Sequence, residues 1–287
     1  MKKTVAPESS GRILAVGFFD GVHLGHRRIL AGADAVFTFS NHPLGILDPS
    51  RMPALLMGAK ERISMLASAG TVHPRAVHAV RFTRRFAKMS PTDFVAYLRR
   101  LFPNLEKVHC GGNWRFGLNG AGTAQTLRDA GISVKVSRYA KVADCVISST
   151  RIRAALAEGD VEAAAAMLGR RFSVSGRVVA GKGLGRKIGC PTLNIEVSVP
   201  LRLGVYVVDT PLGRGIANYG IAPTMKGKAW KSPVLEVHLI DCAAGAAVSI
   251  GGRSITVEFL RFLRPERKFS CLQELRAQIA ADLKSAK

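Results

Sequence analysis

Gly17-Phe18-Phe19-Asp20-Gly21-Val22-His23-Leu24-Gly25-His26 is the stretch whose reading decides the fold. Ahead of it, Ile13-Leu14-Ala15-Val16 is a short unbroken apolar run, the pattern of a strand buried on both faces of a parallel sheet. Behind it, Arg27-Arg28-Ile29-Leu30-Ala31 has helix-forming composition. The segment therefore reads as strand, glycine-rich turn and helix, with His23 and His26 in the first helical turn. Spaced i,i+3, the two imidazoles share a helix face. The free N–H groups and partial positive charge of a helix N-terminus suit a phosphate. Gly25 has no Cβ, so a ligand can approach the backbone closely. Two histidines at this spacing are, on their own, equally what a surface helix carries.

Outward from this stretch, strand and helix signals alternate to about residue 168. Ala35–Phe39 is a second apolar run, ending at Ser40-Asn41-His42-Pro43. A helix is predicted over Lys60–Leu66. Another starts at Ser90-Pro91-Thr92-Asp93, where serine caps, proline fits the first turn and aspartate complements the dipole. Its apolar positions Phe94, Val95, Leu98 and Leu101 form a core-facing stripe. Val108-His109-Cys110 leads into Gly111-Gly112-Asn113-Trp114-Arg115-Phe116-Gly117, a loop at a strand end, where open α/β sheets bind ligands. A short helix (Ala124–Ala130) and a strand (Val134–Val136) follow, then Ile147-Ser148-Ser149-Thr150-Arg151-Ile152-Arg153 and a helix to about Glu158. Ser149 or Thr150 can cap that helix, while its N–H groups and an arginine face an anion. This alternation predicts a parallel sheet covered by helices.

After Leu168-Gly169 the pattern changes. Six runs between 172 and 262 read as strands punctuated by Gly and Pro, which predicts a small antiparallel barrel. Ser270 and Gln273 form a capping box for one final helix to about Ala286. The expected organisation is two domains, 1–168 and 169–287.

The second informative stretch is Gly176–Asn194. It lacks the Gly-Lys-Ser/Thr of a Walker loop. Its glycines (Gly181, Gly183 and Gly185 among them) can still bend over phosphates that Lys182, Arg186 and Lys187 neutralise. Thr192 and Asn194 flank Leu193 and so point the same way from a strand, a pair of oxygen donors suited to magnesium held jointly with nucleotide phosphates. In Leu235-Glu236-Val237-His238-Leu239, Glu236 lies on the face opposite the apolar residues.

Composition narrows the class. The chain has 287 residues, is 47% hydrophobic and carries a net charge of +22. No apolar run approaches membrane-span length, and the charged start is followed by polar residues rather than a signal core, so a cytoplasmic protein is expected. Five scattered cysteines without a Cys-x-x-Cys pair argue against a disulfide framework and a structural zinc site. The basic residues are spread along the chain without an RNA-recognition signature, so the charge alone does not specify a nucleic-acid partner.

These motifs together resemble the bacterial bifunctional riboflavin kinase/FAD synthetase family. The opening stretch is similar to its His-x-Gly-His nucleotidyltransferase signature, 38–43 to its Thr-Phe-x-x-His-Pro element, and 147–153 to Ile-Ser-Ser-Thr-x-Ile-Arg. The run to Pro-Thr-x-Asn resembles the riboflavin kinase signature. The resemblance implies an α/β nucleotidyltransferase domain followed by a riboflavin kinase barrel, with ATP as co-substrate, Mg2+, and riboflavin, FMN and FAD as substrate and products. It implies that His23 and His26 stabilise phosphates, with Gly17, Asp20, Gly25, His42, Asn113, Ser149, Thr150, Arg153 and Asp160 around ATP. In the barrel it implies Gly181, Lys182, Gly183, Gly185 and Arg186 at phosphates, Thr192 and Asn194 at the metal, and Glu236 as the base that deprotonates riboflavin. Arg81–Ala87 resembles a family segment and is assigned a structural role. The connection after His26 is short for the family, and Ala246–Gly252 lacks its usual tyrosine. A kinase with a degenerate adenylyltransferase domain, or a non-catalytic anion- or RNA-binding protein, are the alternatives. Self-association is left open.

Overall fold

The structure is a computed structural model that describes residues 12–68, 76–179, 192–221, 233–240, 252–267 and 269–286. Packing divides the chain into two compact units, Met1–Ser149 and Thr150–Lys287.

The first unit holds β1 (Ile13–Val16), α1 (Leu24–Leu30), β2 (Ala35–Phe39), α2 (Leu44–Leu47), α3 (Ala59–Ser68), β3 (Ala76–Val80), α4 (Arg84–Ala87), α5 (Pro91–Leu101), β4 (Lys107–Gly111), α6 (Ala124–Asp129), β5 (Ser133–Ser137) and the short hairpin β6 (Lys141–Val142) and β7 (Cys145–Val146). Strands β1 to β5 form one parallel sheet in the order β3-β2-β1-β4-β5. The unbroken apolar run of β1 has its explanation here. Leu14 and Val16 face a core built with Phe94, Leu98 and Phe102, whereas Ala15 faces the opposite core with Leu30, Val36 and Leu66. A strand buried on both faces has no polar side to show. The short connection suffices: α1 has seven residues and still carries the chain from β1 to the parallel β2.

Helix α5 starts as its sequence predicts. Ser90 Oγ accepts from Asp93 N at 3.0 Å, Pro91 occupies the first helical position, and Phe94, Val95 and Leu98 are buried. Strand β3 has no counterpart in the sequence reading. Its centre is His78, and every residue in it is only half-buried, as befits an edge.

The second unit begins with α7 (Ser149–Glu158, its first residue shared with the first unit) and α8 (Val161–Leu168). It continues through β8 (Phe172–Val179), β9 (Thr192–Glu196), β10 (Gly204–Thr210), β11 (Gly213–Gly220), β12 (Val234–Leu239) and β13 (Ser254–Arg264), and ends in α9 (Leu272–Ala286). The six strands close into an antiparallel barrel in the order β10-β11-β12-β9-β8-β13. The change of sequence pattern falls near residue 169, whereas compact packing places α7 and α8 with the barrel. Helix α8 lies on β8 and β13.

Helix α9 covers the barrel's outside, where Val205, Val207, Ile216 and Ala286 are buried together, with Ile279 and Leu283 packed against them. Its start differs from expectation in one residue. Glu274, rather than Gln273, reaches back to accept from Ser270 N at 2.9 Å and from Ser270 Oγ at 3.0 Å. The helix is also clamped by charge. Arg264 Nη2 donates to Asp282 Oδ2 at 2.7 Å and its Nε to both carboxylate oxygens, while Gln278 donates to the same carboxylate.

Asp282 is 7% exposed in this pair and Arg264 21%, so removing one partner strands a largely desolvated charge. Asp282→Ala is expected to lower stability by about 3 kcal/mol. Adding Arg264→Met should recover much of that loss, because the apolar pair leaves nothing unpaired. Denaturant melts of the single and double variants check both expectations.

Candidate functional site

The turn after β1 is tightly constrained. Phe19 (φ 60°) and Val22 (φ 42°) occupy left-handed backbone that β-branched and bulky side chains disfavour, with Gly21 (φ 81°) between them. Such conformations cost about 1–3 kcal/mol each and persist only where surroundings enforce them. Here both side chains are buried, and Val22 N donates to Phe19 O at 3.1 Å. Gly17 is required by the same turn, since a Cβ there would lie 2.9 Å from the Phe19 ring.

His23 caps α1, its Nδ1 accepting from His26 N at 3.2 Å. A neutral His23 therefore carries its proton on Nε2. The His23 and His26 rings are stacked, with centroids 3.5 Å apart and planes 17° from parallel, and His26 meets the edge of Phe19. Burial, then His23, then Arg62 hold the His26 pKa well below the usual imidazole range. Its Nδ1 is buried without a hydrogen-bond partner among the described residues. The absent side chain of Gly25 also makes room for this pair. A Cβ would stand 3.0 Å from the His23 ring.

Asp20 is buried, and its carboxylate accepts from Leu56 N at 3.1 and 3.2 Å. It thus ties the turn to the segment before α3. Ser149 Oγ donates to Asp20 O at 2.9 Å, which brings the start of the Ser-Ser-Thr run to the same turn. His42 Nδ1 accepts from Leu44 N at 3.1 Å, and its ring stands edge-on to Phe18. Asn113 is exposed in the turn after β4, the strand beside β1. Strand order, not strand direction, reverses between β1 and β4, the crevice where open α/β sheets take ligands. Thr150 and Arg153 lie on α7, and Asp160 caps α8, its Oδ1 accepting from Ala163 N at 2.8 Å.

Beside Gly17 and Phe18 opens a cavity of about 580 Å³, walled by Phe39, Phe82, Phe86, Trp114 and Phe116. Arg84, Lys88 and Arg115 also line it, and no acidic residue does. Phe82 and Phe86 of the segment Arg81–Ala87, which was assigned a structural role, pack on Phe39 and also line this cavity. Sequence reading also missed Arg62, which is 1% exposed on α3. The available signal was its position four residues before the buried Leu66, on the same helix face.

On the barrel, strand register assembles a second group. Asn194 on β9 is opposite Glu236 on β12, which is opposite Asn218 on β11, and Thr192 is opposite His238. Directly opposed residues share a face, so Thr192, Asn194, Glu236 and Asn218 stand together. Glu236 is exposed, Asn194 buried. Asn218 Nδ2 donates to Glu266 Oε1 at 3.3 Å, and a Cβ at Gly220 would overlap that carboxylate. Asn218 and Glu266 were not singled out from sequence. Gly181, Lys182, Gly183, Gly185 and Arg186 lie outside the described residues, as does most of Ala246–Gly252. Among the described residues no cluster of His, Cys, Asp and Glu could hold a metal, and no helix is long and apolar enough to cross a membrane.

A parallel sheet with a constrained histidine turn at its reversal point, followed by a closed barrel bearing a carboxylate among neutral oxygen donors, defines a two-domain nucleotide-dependent transferase. The FAD synthetase family model matches residues 5–151 and the riboflavin kinase model residues 168–287. Over 302 residues the chain is 36% identical to the bifunctional riboflavin kinase/FMN adenylyltransferase of Escherichia coli (strain K12), covering 96% of this chain and 92% of the relative. The corresponding protein of Bacillus subtilis (strain 168) is 33% identical over 307 residues, covering 98% and 93%. A crystal structure described as a macrolide-efflux protein from Streptococcus pneumoniae matches with a TM-score of 0.80 and 26% identity, covering 99% of this chain and 95% of that one. The chain belongs to the bifunctional riboflavin kinase/FMN adenylyltransferase family.

The depressed His26 pKa links this site to acid stability. The unfolded chain, with an imidazole near 6.5, binds the proton before the folded chain does. The contribution of neutral His26 is full above that value and is lost as pH falls towards the folded pKa. Between about pH 7.5 and about pH 5.5 the wild type should lose more stability than His26→Asn, which has no proton to take up. Urea melts of both proteins at each pH check the sign.

Proposed function

We propose that the protein makes FAD from riboflavin in two ATP-dependent steps, one in each domain, with 169–287 as the kinase and 1–168 as the adenylyltransferase. The observation that carries the reading is the stacked His23–His26 pair at the start of α1, in the constrained turn whose Gly17 and Phe18 line an aromatic cavity. A planar flavin ring matches that cavity, and its phosphate then points towards Gly17 and the histidines.

In the barrel, Glu236 takes the proton of the ribityl 5′-hydroxyl. The oxygen attacks the γ-phosphorus of ATP, the bond to the bridging oxygen breaks, and ADP leaves with FMN formed. Gly181, Lys182, Gly183, Gly185 and Arg186 hold the phosphates. Thr192 and Asn194 present side-chain oxygens from one strand face beside Glu236, a donor set that fits a hard cation. They would hold magnesium, which neutralises phosphate charge when bound.

In the α/β domain, an oxygen of the FMN phosphate attacks the α-phosphorus of a second ATP. The bond to the β-phosphate breaks and pyrophosphate leaves, giving FAD. His23 and His26 donate to the phosphates, and the arriving negative charge favours protonation of the otherwise neutral His26. Gly17, Asp20 and Gly25 shape the turn that receives them. His42, Asn113, Ser149, Thr150, Arg153 and Asp160 complete the nucleotide site. The protein works in the cytoplasm on small molecules, needs neither nucleic acid nor a membrane surface, and leaves room for self-association. The kinase-only and anion-binding alternatives are not favoured, since both halves match their family.

Incubating the protein with riboflavin, ATP and magnesium and separating the flavins tests the reading. FMN and FAD are both expected, with FAD also formed from supplied FMN; neither product from folded protein overturns it. Glu236→Gln should slow FMN formation about 10²- to 10⁴-fold while FAD still forms from supplied FMN. His26→Ala should reverse that pattern.

A further inference from the structure

Arg62 is a cation withdrawn from water with no use yet assigned. A guanidinium keeps its charge and its five N–H donors wherever it is placed, so burial requires acceptors of matching geometry. Here they come from two neighbouring strand ends. Nη1 donates to Phe18 O at 2.7 Å and to Thr38 Oγ1 at 3.0 Å, and Nη2 donates to Phe39 O at 2.7 Å. Thr38 Oγ1 in turn donates to Phe18 O at 3.3 Å. The guanidinium carbon lies 4.1 Å from the centre of the Phe18 ring, close enough for a cation–π contact. Burial lowers the Arg62 pKa, and nearby Asp20 opposes the shift.

The location of this fork matters more than its strength. The bonds joining β1 to β2 reach Gly17 N→Phe37 O at 3.3 Å. One residue further along, Phe18 O and Phe39 O are instead bridged through Arg62. Phe18 and Phe39 both line the 580 Å³ cavity, and Gly17 belongs to both cavity and turn. At the end of the cavity where Gly17 and Phe18 lie, the two strand ends are thus joined by the Thr38–Phe18 bond and by the fork of Arg62 projecting from α3.

We propose that Arg62 is a positioning residue for adenylyl transfer, holding the Phe18 and Phe39 walls at the separation that admits the flavin ring and aligning that ring with the phosphate turn. The proposal rests on the reading of this domain as the FMN adenylyltransferase. An apolar replacement removes the guanidinium donor from Phe39 O and leaves Phe18 O with Thr38 Oγ1 at 3.3 Å, and lysine, a point donor without the planar fork, spans fewer of the acceptors.

Full-length Arg62→Met and Arg62→Lys are assayed for FAD formation from supplied FMN, varying FMN and then ATP. FMN formation from riboflavin in the same preparations reports whether the chain is folded. The KM for FMN should rise about tenfold in Arg62→Met and by less in Arg62→Lys, with the KM for ATP changed by less than about twofold and kinase rates equal to wild type. A purely structural arginine would lower thermal stability and active fraction without moving the KM for FMN. A KM for FMN within about twofold of wild type in the variants that fold, Arg62→Lys alone if Arg62→Met does not, overturns the proposal. Wild-type protein that converts no FMN overturns the functional reading beneath it, a result distinct from an active wild type with insensitive variants.

Discussion

The left-handed backbone at Phe19 and Val22 is the constraint from which the rest of the α/β unit follows. A chain will not hold bulky residues in that conformation unless their side chains gain more by burial than the backbone loses. Phe19 folds back over Gly17, and Val22 is completely enclosed in the core shared by α1 and α3. The turn is thus fastened from beneath by apolar packing. That leaves its polar groups to do other work: His23 caps the helix, Asp20 receives the Leu56 amide, and Asp20 O receives the Ser149 hydroxyl. Segments separated by more than a hundred residues converge on one ten-residue stretch because that stretch has a single shape.

Where sequence was informative, the reason is local. Strands β1 and β2 are unbroken apolar runs between turn signals, and α5 announces itself by a serine cap, a first-turn proline and an i,i+4 stripe. The barrel strands were visible because six β-rich runs are punctuated by Gly and Pro. The stacking of His23 on His26 follows from their spacing along one helix face. The opposition of Asn194 and Glu236 could not be read that way, because register between β9 and β12 is a tertiary property.

What escaped the sequence depends on several elements at once. The cavity draws Phe18, Phe39, Phe82, Phe86, Trp114 and Phe116 from four separate segments, and none of these aromatics looks different from a core residue in isolation. Arg62 looks like any helical arginine until the carbonyls of Phe18 and Phe39 are brought to it. At Gly25 a Cβ would stand 3.0 Å from the His23 ring, a neighbour two residues away whose position no local pattern announces. Helices α7 and α8 continue the α/β pattern in sequence but pack with the barrel, since pattern records local periodicity and not which core an amphipathic face finds.

The two proposed sites differ in charge in the way their proposed nucleophiles demand. A hydroxyl must lose its proton as it attacks phosphorus, so the kinase face needs a base. It presents Glu236 exposed beside neutral Asn194 and Asn218, with Glu266 drawn onto Asn218. A phosphate monoester near neutral pH is already an anionic nucleophile. A carboxylate facing it would repel both it and the triphosphate. In the α/β unit, Asp20 is turned inward onto a backbone amide, burial holds the His26 pKa well below the usual imidazole range, and the cavity proposed for the flavin is lined by Arg84, Lys88 and Arg115 but no acid. On the proposed reading the net charge of +22 is therefore not featureless: cations line the cavity assigned to an anionic nucleophile, while the exposed carboxylate stands on the barrel, where the proposed step has a proton to remove.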